Sequence, residues 1–210
     1  MKAKLFALLF GAGMLTQLAF TDNSHYLDSL NRELNKAKNE IRRLHFQIEI
    51  ATLLEDKDSA VTTLESVLNR SVEIGHPQLE LEANKALGAL YMNMQDLGNA
   101  TTHLSRAQFI SYQQRDTLNQ AEATMHLAGV CSFQKKYAKS EAIYRQAEML
   151  LEATGLSESK YKQSLGMVYH QLAGSFVQQG LLDSAQQTES KAVELFAQAG
   201  NNAERAMSLA

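Results

Sequence analysis

The 210-residue chain has no tryptophan, one cysteine (Cys131) and one proline (Pro77). A lone cysteine excludes an intramolecular disulfide and any zinc cluster built on thiolates. Near-absence of proline leaves almost nothing to interrupt a helix, and the abundant Ala, Leu, Gln and Glu lose little rotamer freedom on one. Charge of one sign is missing too. Twenty Lys and Arg against twenty-three Asp and Glu give a formal net charge of -3. The two signs are interspersed, so no basic footprint for nucleic acid is present. Beyond the N-terminus there is no second long apolar run.

That N-terminus carries Met1-Lys2-Ala3-Lys4 and then an apolar stretch from Leu5 to Phe20. A short basic segment followed by a hydrophobic one of this length reads as an export signal over residues 1–20. Two export forms are open, a cleaved signal peptide and an uncleaved signal anchor, the run being short for a full span, beside a buried N-terminal helix with no export role. No cysteine lies near it, which excludes lipid attachment there. Either export form puts the body outside the cytoplasm, in a bacterial periplasm or on the outer face of the inner membrane. Membrane contact is then confined to the N-terminal segment.

The body repeats. Leu87-Gly88-Ala89-Leu90-Tyr91 lines up with Leu127-Ala128-Gly129-Val130-Cys131 and with Leu172-Ala173-Gly174-Ser175-Phe176. Each is followed by a turn and a second helix that starts near a small residue, Ala100, Ser140 or Ala185, with Ala60 from an earlier hairpin. The steps between these four are 40, 40 and 45 residues. Four residues after each stands Leu64, Leu104, Tyr144 or Glu189, and three further on Val67, Ala107, Ala147 or Ala192. Small residues at Gly88, Ala128 and Ala173 let the two helices of a hairpin approach closely, and the large ones fill the space between hairpins. Cys131 holds the place of Tyr91 and Phe176 and is expected in the core. Gly75, Gly155 and Gly200 each follow a second helix, where a left-handed cap favours a residue without Cβ.

The pattern Leu-Gly-x2-Tyr, a turn, then Ala-x3-large-x2-Ala resembles the tetratricopeptide repeat, in its long-helix form, over roughly residues 40 to 210. The resemblance implies an all-α fold, an α-solenoid of tetratricopeptide-like helical hairpins coiled into a right-handed superhelix. It divides the chain into the signal, a leading helix over 21–40, and a repeat domain over 41–210 with about four hairpins and a partial fifth. That last piece is read from Asn202–Ala210, which tracks Gln120–Ala128. In the leading segment Leu27, Leu30, Leu34, Ala37, Ile41, Leu44 and Ile48 form a heptad stripe. It predicts one long helix merging with the first hairpin near Ile41. The stripe would either cover the end of the solenoid or make a homodimeric coiled coil.

The family resemblance also implies a binding groove on the first helices. Its positions fall here on Glu82, Lys85, Ala89, Met92 and Asn93. In the next hairpin they fall on Glu122, Met125, Gly129, Ser132 and Phe133, and then on Met167, His170, Gly174, Val177 and Gln178. Small residues at the centre, with methionines around them, suit a protein or peptide ligand with apolar anchors. A terminal-carboxylate clamp is disfavoured, because Ala89, Gly129 and Gly174 stand where it needs polar side chains.

Nothing in the chain points to catalysis or to a cofactor. The six histidines, His25, His45, His76, His103, His126 and His170, show no ligand spacing, and His126 and His170 could meet across adjacent helices only without a third ligand. There is no Gly-x-Ser-x-Gly elbow. Glu33, Glu40, Glu49 and Glu55 read as solvated helix faces. The expected function is a non-catalytic binding scaffold. The alternative is the sensory region of a membrane receptor of diguanylate cyclase or histidine kinase type, whose output domain would lie elsewhere.

Overall fold

A computed structural model describes residues 25–200, so the export segment and Asn202–Ala210 lie outside the described residues. Among those residues every regular element is a helix. Two compact units divide between Leu79 and Glu80.

The first unit holds α1 (residues 25–36), α2 (Glu40–Leu53) and α3 (Lys57–Glu73). The single leading helix expected across Ile41 is not formed. The chain leaves helical geometry at 37–39, and Asn39, extended at φ -85° and ψ 129°, caps α2 by accepting from the Arg42 amide at 3.1 Å. A short amide side chain that competes for backbone donors favours this break. The heptad stripe survives it: Leu30, Ala37, Leu44 and Ile48 are all buried. Those positions are therefore spent inside the unit, on two helices and the break between them.

The second unit begins within α4 (Pro77–Asn93). Pro77 sits at its first position, where a missing N–H costs nothing. There follow α5 (Leu97–Gln114), α6 (Thr117–Phe133), α7 (Tyr137–Glu152), α8 (Glu158–Gln179) and α9 (Leu182–Ala199). Asp96 and Asp116 cap α5 and α6 by accepting from the amides of Asn99 and Asn119. The helices pack as the hairpins α4–α5, α6–α7 and α8–α9, after the α2–α3 hairpin of the first unit, which is the α-solenoid arrangement of helical hairpins.

The repeat's volumes explain the packing. Ala60, Leu64 and Val67, then Ala100, Leu104 and Ala107, then Ser140, Tyr144 and Ala147 are all buried. At Gly88 a Cβ would stand 2.5 Å from Leu104 Cγ, so only glycine allows α4 to lie this close to α5. Ser140 fills its small position without an unpaired hydroxyl, donating to the Ala128 carbonyl at 2.8 Å. In the last hairpin the large apolar residue is replaced by Glu189, which hydrogen-bonds His170 Nδ1 at 3.0 Å. Cys131 is buried, as its place in the repeat implies.

Second helices end as expected on left-handed glycines, Gly75, Gly155 and Gly200. The equivalent place after α5 is Arg115, at φ +56°. The turns inside the hairpins use left-handed residues as well, Gln95, Lys135 and Gly180. These four positions were not foreseen.

Candidate functional site

The first helices of the second unit, α4, α6 and α8, carry the fifteen residues of the expected groove. The structure sorts them into different roles.

At one end Lys85 of α4 reaches α6. Its ammonium donates to Asn119 Oδ1 at 2.6 Å and pairs with the Glu122 carboxylate. Both partners are half-buried, so this pair is screened less than a surface pair and ties adjacent first helices together. In the middle stand Met92 and Met125, of which Met125 also lines a cavity. They are 8% and 6% exposed, in separate buried clusters. Met92 reaches over Gly129, whose added Cβ would lie 2.9 Å from the Met92 methyl. Gly129 is thus covered by a side chain of this protein and offers no approach to a peptide backbone. Gly174 does: it is exposed, with nothing within 4 Å of an added Cβ.

At the other end the Ser132 hydroxyl is buried, shares a hydrogen bond with the Ser175 hydroxyl at 2.8 Å, and donates to Gln178 Oε1 at 3.0 Å. Beside this link Phe133 and Val177 are 44% and 56% exposed, unusually open for apolar side chains. Asn93 is exposed, whereas Glu82, Ala89, Met167 and His170 are half-buried. His170 turns to Glu189 and not to His126. Among the described residues no three His, Cys, Asp or Glu side chains are grouped as metal ligands.

The repeat pattern missed a cavity of about 460 Å³ between α6 and α8. Leu118, Met125, Leu151, Met167 and Val168 supply its apolar wall, and Glu122, His126, Lys160, Gln163 and Ser164 its polar one. Only Glu122, Met125 and Met167 of these belonged to the expected groove. Leu118, Lys160, Gln163 and Ser164 lie nearer the N-termini of α6 and α8 than the groove residues do, while Leu151 comes from the last turn of α7. Their signal was the 45-residue step, because α8 has 22 residues against 17 in α6. Most of that excess precedes Leu172, as residues 158–161, and it carries Lys160.

The electrostatics of this wall are asymmetric. Burial, and then the Lys85 ammonium, push the His126 imidazole below its ordinary pKa, with Glu122 opposing them. His126 therefore presents a neutral ring. Glu122 is neutralised by Lys85, which leaves Lys160 as a cation with no ion-pair or hydrogen-bond partner among the described residues.

No protein-family model matches the chain. No curated protein matches it in sequence. Solved structures do match in fold. A Rap protein complexed with Competence and Sporulation Factor superposes with a TM-score of 0.74 at 12% identity, over 92% of this chain and 55% of that one. This chain thus spans about half the length of that protein. TPR-like repeats of a putative kinesin light chain from Podosopora anserina give 0.59 at 18% identity, over 88% and 91% of the two chains. BtubC (BKLC) from P. vanneervenii gives 0.59 at 16%, over 90% and 86%. The chain has the tetratricopeptide-like helical-repeat fold.

Proposed function

We propose that the protein is a non-catalytic scaffold, which holds a protein or peptide partner on the face formed by α4, α6 and α8. The observation that carries this reading is the open end of that face, where Phe133 and Val177 are exposed near the ends of α6 and α8 and Gly174, one turn before Val177, is uncovered. Apolar side chains left in water beside a bare stretch of helix provide anchor sites and close backbone approach together. The fold supports it as well, because one neighbour of this fold, the Rap protein, is complexed with a factor. The export motif of Met1 to Phe20 supports a place of action outside the cytoplasm.

Site-specific photocrosslinking in the native host tests the reading. A photoreactive residue placed at Phe133 or Val177 should crosslink one discrete partner. The same residue at Gln146 on α7 or Gln187 on α9, both exposed on second helices, should not. Equal crosslinking from all four positions, or none from the first two, would refute it. A C-terminal alkaline phosphatase fusion tests location: phosphatase activity in intact cells is expected, and an inactive fusion would place the body inside.

A further inference from the structure

We propose that the cavity between α6 and α8 is a binding site in its own right for a small amphiphilic carboxylate, an apolar group of aromatic or branched shape joined to one anionic head. At about 460 Å³ the cavity falls in the lower half of the range of ligand pockets, roughly 300–1,000 Å³. Its make-up also follows theirs, with a mostly apolar wall and a few polar groups that converge from two helices.

Three observations select the ligand. First, the apolar wall is built from Met125, Met167, Leu118 and Val168, flexible and branched side chains that adapt to an inserted apolar body. Second, His126 lines the space, is desolvated enough to stay neutral, and has no hydrogen-bond partner among the described residues. The ring is half-buried, and a ligand oxygen in the cavity would accept from its N–H in place of water. Third, the charges do not cancel. Lys85 compensates Glu122, while Lys160 stands on the extra turn of α8 with nothing to pair with. One uncompensated ammonium beside an apolar chamber recognises one carboxylate and repels an amine of the same shape.

This site is separate from the Phe133 and Val177 end of the face, so its test needs no protein partner. Calorimetric titration of the full chain with 4-phenylbutyrate, 4-phenylbutanol and 4-phenylbutylamine compares one apolar body with three heads. The acid should bind at least tenfold tighter than the alcohol, and the amine weakest. Lys160→Gln, at an exposed position, should remove that advantage while leaving the melting temperature of the unliganded protein unchanged. Met167→Trp should fill the chamber and abolish binding of acid and alcohol alike. No heat with any probe, equal affinity for the three, or an acid preference that survives Lys160→Gln would overturn the proposal. A tripeptide with a C-terminal phenylalanine that binds tighter than the free acid would overturn it as well. That outcome would return the cavity to the partner-binding face.

Discussion

Gly166 and Phe196 offer a direct test of how this array is packed. An alanine Cβ at Gly166 would come within 2.6 Å of Phe196 Cε1 and 2.8 Å of Cδ1, closer than real Cβ atoms approach a ring. Phe196 is only 1% exposed, so it has little room to swing away. Overpacking of this kind costs about 1–3 kcal/mol. Against it stands the gain of alanine over glycine inside a helix, about 0.5–1 kcal/mol. The clash wins, and Gly166→Ala should destabilise the protein by about 1 kcal/mol. One hairpin earlier, at the equivalent positions, the pair is Ala121 and Leu151, buried in one cluster. The larger small residue meets the smaller large one, so volume is exchanged between two partners along the array.

A double-mutant cycle follows from that exchange. Phe196→Leu alone should cost about 1–2 kcal/mol, since it leaves part of a buried ring's volume empty. The double variant Gly166→Ala/Phe196→Leu recreates the earlier pair and should be more stable than the sum of the two losses by about 1–2 kcal/mol. Urea unfolding followed by circular dichroism measures all four proteins, with an unchanged m-value confirming that the native compactness is kept. Additivity within about 0.5 kcal/mol would refute the volume-exchange argument.

Other glycines should behave in opposite ways. Gly174→Ala, with open space around the new methyl, should stabilise α8 by about 0.5–1 kcal/mol, whereas Gly88→Ala should destabilise through Leu104; thermal melts that show the same sign for both would contradict this. Arg115 holds a left-handed φ of +56°, which costs a residue with a Cβ about 1–2 kcal/mol. Arg115→Gly should therefore raise the urea midpoint, and a lower midpoint would mean that the arginine side chain supplies more than the strain removes. For His126 the folded-state pKa is depressed, so the unfolded chain binds more protons as pH drops below about 6.5. Its contribution to stability is present above that pH and lost as pH falls toward the folded value. The loss between pH 7 and pH 5 should be smaller in His126→Gln, and identical pH profiles would show that the ring is not desolvated in solution.

The small–large–small ladder was legible because both its members and its spacing are written in residue types. Ala100, Leu104 and Ala107 occur together for one steric reason, and Gly88 answers to Leu104 across the hairpin. Left-handed caps were legible only where they fall on glycine. At Gln95, Arg115 and Lys135 the closure of the turn between two helices overrides the Cβ penalty, and no residue type announces that. The break at 37–39 was hidden for the opposite reason. Ala37 is buried on the same side as Leu30 and Leu44, so the heptad spacing continues through a place where the helix does not. Position in the repeat does not tell how far Met92 and Met125 are buried, because first helices also pack against their neighbours. A flexible methionine at the seam folds over Gly129 and does not wait for a ligand.

The cavity shows where such an array is best searched. Helices of equal length, stacked in register, close each seam in the same way, since every turn of one has a counterpart on the next. The turn that α8 adds before Leu172 has no counterpart on α6, which begins at Thr117. Lys160 stands on that turn and can wall a space but cannot interdigitate across it, while Gln163 and Ser164 follow on the turn that α6 does match. The added turn accounts for the unpaired charge at the cavity. A step of 45 residues after two of 40 was therefore more than noise in a degenerate repeat. It marks the seam at which the solenoid stops being filled by its own side chains.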